Sequence, residues 1–158
     1  MYKILLAMAV VLATSATAAA QELRRISTCF EEFLAPLGTS QLEDGIAHCD
    51  KVIEDKAAPA ERRGQTFAQR GLMYGRRWAL LSTPALAAQG IADLTEAFEL
   101  HTPQTERRHQ LLLVRAQLHK AVGQTRRALA DYTAILNEDP NNSWARQGRS
   151  QLGSLDAH

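Results

Sequence analysis

Along most of the chain, apolar residues recur every three or four positions, the spacing of one face of an α-helix. Strict alternation and β-branched runs are scarce, while Ala, Leu, Arg, Gln and Glu, all good helix formers, are frequent. The pattern predicts seven helices, over 22–36, 41–56, 60–77, 84–101, 104–121, 124–138 and 142–153. Breaks fall at Pro36/Gly38, Pro59, Ser82-Thr83-Pro84, Pro103, Gly123 and Pro140. Pro59 and Pro103 suit the first turn of a following helix, where a missing N–H costs nothing. Around Trp78-Ala79-Leu80-Leu81 the pattern fits a loop or a lengthened helix equally well.

Three of these segments align with one another: GIAHCDKVIED from Gly45, GIADLTEAFEL from Gly90 and ALADYTAILNE from Ala128. Each carries a small residue, an aliphatic one, an alanine and an apolar pair further on. ERRGQTFAQRG (Glu61 to Gly71) matches ERRHQLLLVRA (Glu106 to Ala116) in the same order, 45 residues apart. Two matches in one order indicate a repeated pair of helices. The small residues Gly71, Gly90, Ala116 and Ala128 are the expected points of close helix approach. A bulky replacement such as Ala128→Leu is expected to cost roughly 1–3 kcal/mol.

These residues resemble the tetratricopeptide repeat (TPR) family, in the variety common in exported bacterial proteins. Ala128-x-x-x-Tyr132 followed by Pro140 fits its second helix; Gly71-x-x-Tyr74 and, more loosely, Ala116-x-x-His119 fit its first. The resemblance covers residues 24–142 as three units and reads 142–153 as the solvating end helix of such an array. It implies an all-α fold of antiparallel helix hairpins in a short right-handed superhelix. The interval from Gly45 to Gly71, like that from Gly90 to Ala116, is 26 residues. That is about one helical turn beyond the family's usual spacing, so the first helices are expected to be longer.

The N-terminal stretch MYKILLAMAVVLATSATAAAQ has a cationic start, a short apolar run and an Ala-x-Ala end, the layout of a signal peptide over 1–20. The expected product is one domain over 21–155, exported, periplasmic in a Gram-negative cell, and without membrane insertion once the signal is removed. Cys29 and Cys49 each lie 10 residues from Thr39 in the turn between the first two helices. Equal distances from a hairpin turn put two residues level, so the pair reads as a disulfide staple. Without Lys3, basic and acidic residues balance at 17 each, which gives no electrostatic case for a nucleic acid partner.

The charges nevertheless come in blocks. The first helices of units two and three are basic, and the second helices of units one and two are acidic. Arg70 with Asp93, and Arg115 with Asp131, occupy matching places on paired helices and are expected to form structural salt bridges. An exposed pair of that kind is worth about 0–1 kcal/mol. The family resemblance implies that first helices line a concave groove. Its candidate lining residues are Arg62, Gln65, Gln69 and Arg76 in unit two and Arg107, Gln110, Gln117 and Lys120 in unit three. Long cationic and amide side chains suit an extended peptide with an acidic group; a solvated arginine-rich face accounts for the same pattern.

No HExxH, G-x-S-x-G or phosphate-binding glycine loop occurs. No catalytic residue, cofactor or metal ligand is therefore assigned. The expected function is a non-catalytic module that binds a peptide or protein segment, an acidic one being suited to the basic groove. The alternatives are a thiol-redox protein using Cys29 and Cys49, and a protein that self-associates through the ends of a short array.

Overall fold

The computed structural model describes residues 38–101 and 103–153. All regular structure among them is helical, in six elements: α1 (Thr39–Glu54), α2 (Ala60–Leu81), α3 (Pro84–Leu100), α4 (Thr105–Ala121), α5 (Thr125–Glu138) and α6 (Ser143–Gly153). The helix expected over 22–36, the signal segment and Cys29 lie outside the described residues, and with them the staple to Cys49. Cys49 itself is fully buried on α1. No helix among the described residues is long and apolar enough to cross a membrane.

Local chemistry accounts for the helix ends. Gln41 reaches back to accept the Gly38 N–H at 3.0 Å, satisfying a donor that the first turn of α1 leaves unpaired. Pro84 opens α3 from its first position. Pro59, in contrast, stands one residue ahead of α2 as its cap, and Pro103 precedes the cap of α4, so both prolines lie just outside the helices they introduce. Before α6, Asn142 Oδ1 accepts the Ala145 N–H at 3.1 Å, while Asp139 Oδ1 accepts the Asn141 N–H at 3.1 Å. The Asp-Pro-Asn-Asn turn thus holds itself and caps the next helix.

Tyr74 is not near the end of α2. The helix runs on through Trp78 to Leu81 and stops where Ser82 enters the left-handed region at φ 52°, its N–H donating to the Trp78 carbonyl at 2.6 Å. The segment between Tyr74 and the next hairpin arm is therefore lengthened helix. A non-glycine residue in that conformation costs about 1–2 kcal/mol. At the corresponding turn between α4 and α5, Gly123 takes φ 74° without that penalty.

Each helix packs on its neighbour in the chain, most extensively α2 on α3, and α4 also touches both α2 and α6. The contacts run antiparallel. Gly64 lies against Leu100 and His101, Gly71 against Asp93 and Leu94, and Tyr74 against Gly90, all placed symmetrically about the Ser82-Thr83 turn. The α1–α2 pair is centred in the same way near Pro59, with Gly45 against Met73, and the α5–α6 pair near Pro140, with Gly148 against the Tyr132 ring. Close approach explains the small residues. A methyl group on Gly71 would stand 2.8 Å from Leu94 Cγ, and one on Gly90 would stand 2.7 Å from Leu118 Cδ1.

Leu42, Met73, Leu94, Leu111, Leu118, Ile135 and Leu152 are among the fully buried side chains. At the C-terminal end Leu112, Ala116, Ala128, Tyr132, Ile135, Leu136, Ala145 and Leu152 form one cluster, so α6 shares a core with α4 and α5. Burying a Leu or Ile side chain contributes about 1.5–3 kcal/mol each, which is what joins such short helices, since helices of this length are marginal alone.

Candidate functional site

The charged side chains divide into those that join helices and those that remain on a surface. Arg70 on α2 is forked onto Asp93 of α3, with Nε to Oδ2 and Nη2 to Oδ1 both at 2.7 Å. Its remaining Nη1 donates to Asp50 of α1 at 2.6 Å. Arg115 on α4 repeats the arrangement. It forks onto Asp131 of α5 at 3.0 and 2.6 Å and points Nη1 at Thr95 of α3, at 3.4 Å. Asp50 and Thr95 are equivalent positions, 45 residues apart, as are Arg70 and Arg115. Each arginine therefore touches the helix that follows its own and the helix that precedes it.

These pairs are not exposed ones, so the small value expected of a surface pair does not apply. Asp93 and Asp131 are each 5% exposed. Aromatic rings cover the guanidinium groups: Phe67 and Tyr74 lie 5.4 and 6.0 Å from Arg70, and Phe98 lies 4.7 Å from Arg115. The hydrogen bond to Asp93 holds the Arg70 guanidinium above its ordinary range, whereas burial pushes the Asp93 carboxyl up. Further pairs consume more of the basic blocks. Arg77 bonds Glu43 at 2.6 Å, Arg108 pairs with Glu138, and His109 Nε2 lies 3.0 Å from the same carboxylate.

The groove candidates fare differently from one another. Gln69 is 3% exposed and does not line an open groove. Helix α2 is packed on two sides, and the stripe through Thr66, Gln69 and Met73 is its second buried face. Gln65 donates to Glu61 at 3.3 Å on its own helix. Arg62 and Arg76 are half-buried. Arg107 donates to Gln110 at 2.8 Å, and burial pulls its guanidinium below the ordinary value. Gln117 and Lys120 are exposed, and these two the structure brings together in a cleft.

That cleft holds about 510 Å³ and is lined by side chains of four helices. Helix α2 supplies Trp78; α4 supplies Leu113, Gln117, Lys120 and Ala121; α6 supplies Trp144, Gln147, Gly148 and Gln151, with Tyr132 of α5 at its floor. Trp144 is 68% exposed. The Lys120 ammonium donates to Gln151 Oε1 at 3.0 Å and forms no ion pair among the described residues. Among the described residues no carboxylate lines the cleft. The two tryptophans and the α6 glutamines were not among the residues singled out from the pattern. The available signal was a tryptophan in a terminal helix expected only to face solvent.

His119 on α4 is 5% exposed, with Nδ1 2.7 Å from Gln124 Oε1 across the Gly123 turn. Burial lowers its affinity for a proton, and Gln124 offsets this in part. Among the described residues no three His, Cys, Asp or Glu side chains gather as a metal site. Compared with protein-family models, with curated proteins and with solved structures, the chain matched none.

Proposed function

We propose that this chain is a non-catalytic binding module, a short TPR-like array that captures a segment of another protein on the side formed by α2, α4 and α6. The observation that carries this reading is the open cleft with Trp144 exposed at its mouth. Tryptophan, with tyrosine and arginine, is enriched among the residues that carry binding energy at protein interfaces. The amide side chains of Gln117 and Gln147 supply donors and acceptors for an extended backbone.

The repeated helix pairs support the family reading, and their contacts through α4 to both α2 and α6 are what such stacking requires. The export signal read over 1–20 directs the search for a partner to the cell envelope. A photoreactive residue at Gln117 tests the reading in intact cells, with the same group at Arg126 as the comparison. Adducts specific to Gln117, competed by the purified partner segment, support it; equal adduct profiles from both positions count against it.

A further inference from the structure

We propose that the cleft between α2, α4 and α6 recognises a peptide segment in which an acidic side chain stands beside a large apolar one. The inference rests on the peptide-capture reading above and gives the ligand a chemistry. The apolar requirement follows from the lining: Trp78, Leu113, Ala121, Tyr132 and Trp144 all border the open cleft. The volume of about 510 Å³ accommodates a bulky side chain with adjoining backbone.

The acidic requirement follows from Lys120. Its ammonium has three donors and no acceptor, and among the described residues it meets one neutral amide oxygen and stands in a cleft lined by no carboxylate. A ligand carboxylate placed there completes the cation's partners and displaces none of the ion pairs that hold the helices together. Phosphate is a poorer match. A multiply charged group is best held by several cations or by the arginine fork, and among the described residues this cleft presents one lysine. Of the remaining lining side chains, Gln117 and Gln147 carry no charge and suit backbone amides on either side of the acidic residue.

The contrast with the arginines sharpens the assignment. Arg70, Arg77, Arg108 and Arg115 are each engaged by a carboxylate of this chain. A peptide carboxylate approaching any of them has to compete with an existing pair, whereas Lys120 offers its charge without that competition.

The test uses the full mature chain and labelled octapeptides with blocked termini, so that the only carboxylate is a side chain. A central Glu-Trp pair is compared with Gln-Trp, Lys-Trp and Glu-Ser by fluorescence anisotropy. The Glu-Trp peptide is expected to bind, and the Gln-Trp peptide to bind about tenfold more weakly, the size of one charge-assisted hydrogen bond. Lys120→Met should bring Glu-Trp and Gln-Trp to equal affinity, and Trp144→Ala should weaken both while the Arg126→Ala control changes neither. Both positions are exposed, and an unchanged melting curve shows that each variant is folded.

A Glu/Gln preference that survives Lys120→Met overturns the proposal while leaving peptide capture standing. Absence of binding by every peptide overturns the acidic–apolar ligand, and the Gln117 crosslinking result then judges the capture reading separately. Concentration-dependent dimerisation of the wild type that Trp144→Ala abolishes also overturns it, because the cleft is then covered by a second copy.

Discussion

The hairpin α2–α3 and the hairpin α4–α5 are built on the same plan and tuned differently. Arg70 and Arg115 sit at equivalent places and fork onto equivalent aspartates, but Arg70 has a second carboxylate in Asp50 where Arg115 has only the Thr95 hydroxyl. Glycines stand at the close-contact points Gly71 and Gly90 of the first hairpin, and alanines at Ala116 and Ala128 of the second. Tyr74 in the first corresponds to His119 in the second. Arg70, Arg77, Arg108 and Arg115 of the basic blocks join helices through carboxylates. Gln117 and Lys120 are exposed instead and line the cleft beside α4 and α6, where the proposed capture surface lies.

Removing the aspartates should separate the two hairpins most clearly. Asp131→Ala leaves the largely buried Arg115 guanidinium with the Thr95 hydroxyl and the Phe98 ring but no carboxylate among the described residues, and breaking a buried pair in this way costs about 3–5 kcal/mol. Asp93→Ala leaves Arg70 still bonded to Asp50, so its loss should be smaller, about 2–3 kcal/mol. Urea denaturation of both variants measures the difference, and equal losses would break the comparison.

A smaller effect is expected from Gly71→Ala. The added methyl meets Leu94 Cγ and Asp93 Cβ, at a cost of about 1–3 kcal/mol that exceeds the roughly 1 kcal/mol gained in helix propensity. Alanine is native at the matching position of the next hairpin, so a stabilised variant would show that the two hairpins do not differ in closeness.

The smallest difference concerns acid. His119 has a lowered proton affinity in the folded state, so between about pH 6.5 and its folded value the unfolded chain binds more protons. Stability from this group is present above about pH 6.5 and is lost as the pH falls through the folded value. His119→Tyr, which copies the first hairpin, should flatten that part of the stability–pH curve. Thermal melts from about pH 7 to pH 5 read it directly, and an unaltered slope would remove His119 from the account.

Much of the fold is legible in the chain because proline, glycine and asparagine mark the turns, and the apolar spacing between them is regular. The lengthened end of α2 is harder to read, since Leu80 and Leu81 are exposed and Ser82 takes a conformation usually marked by glycine. Gln69 reads as a groove residue until α2 is seen to be packed on two faces. The partners Arg70 with Asp93 and Arg115 with Asp131 follow from the repeat register alone. The extra bond to Asp50 does not, because it joins one hairpin to the one before. The cleft is least legible of all. Trp78, Lys120 and Trp144 come from three helices, and only their packing makes them neighbours.

The account stands most directly on where a peptide binds. The chain has two tryptophans, Trp78 and Trp144, and both line the cleft, so the two indole N–H signals in a ¹⁵N NMR spectrum report on it alone. Titration with the blocked Glu-Trp peptide should shift both indole signals together with the Gln117 and Lys120 amides, leaving those of Arg62 and Arg107 in place. Fixed indole signals, with shifts confined to Arg62 and Arg107, would contradict the account and return the binding role to the basic helices.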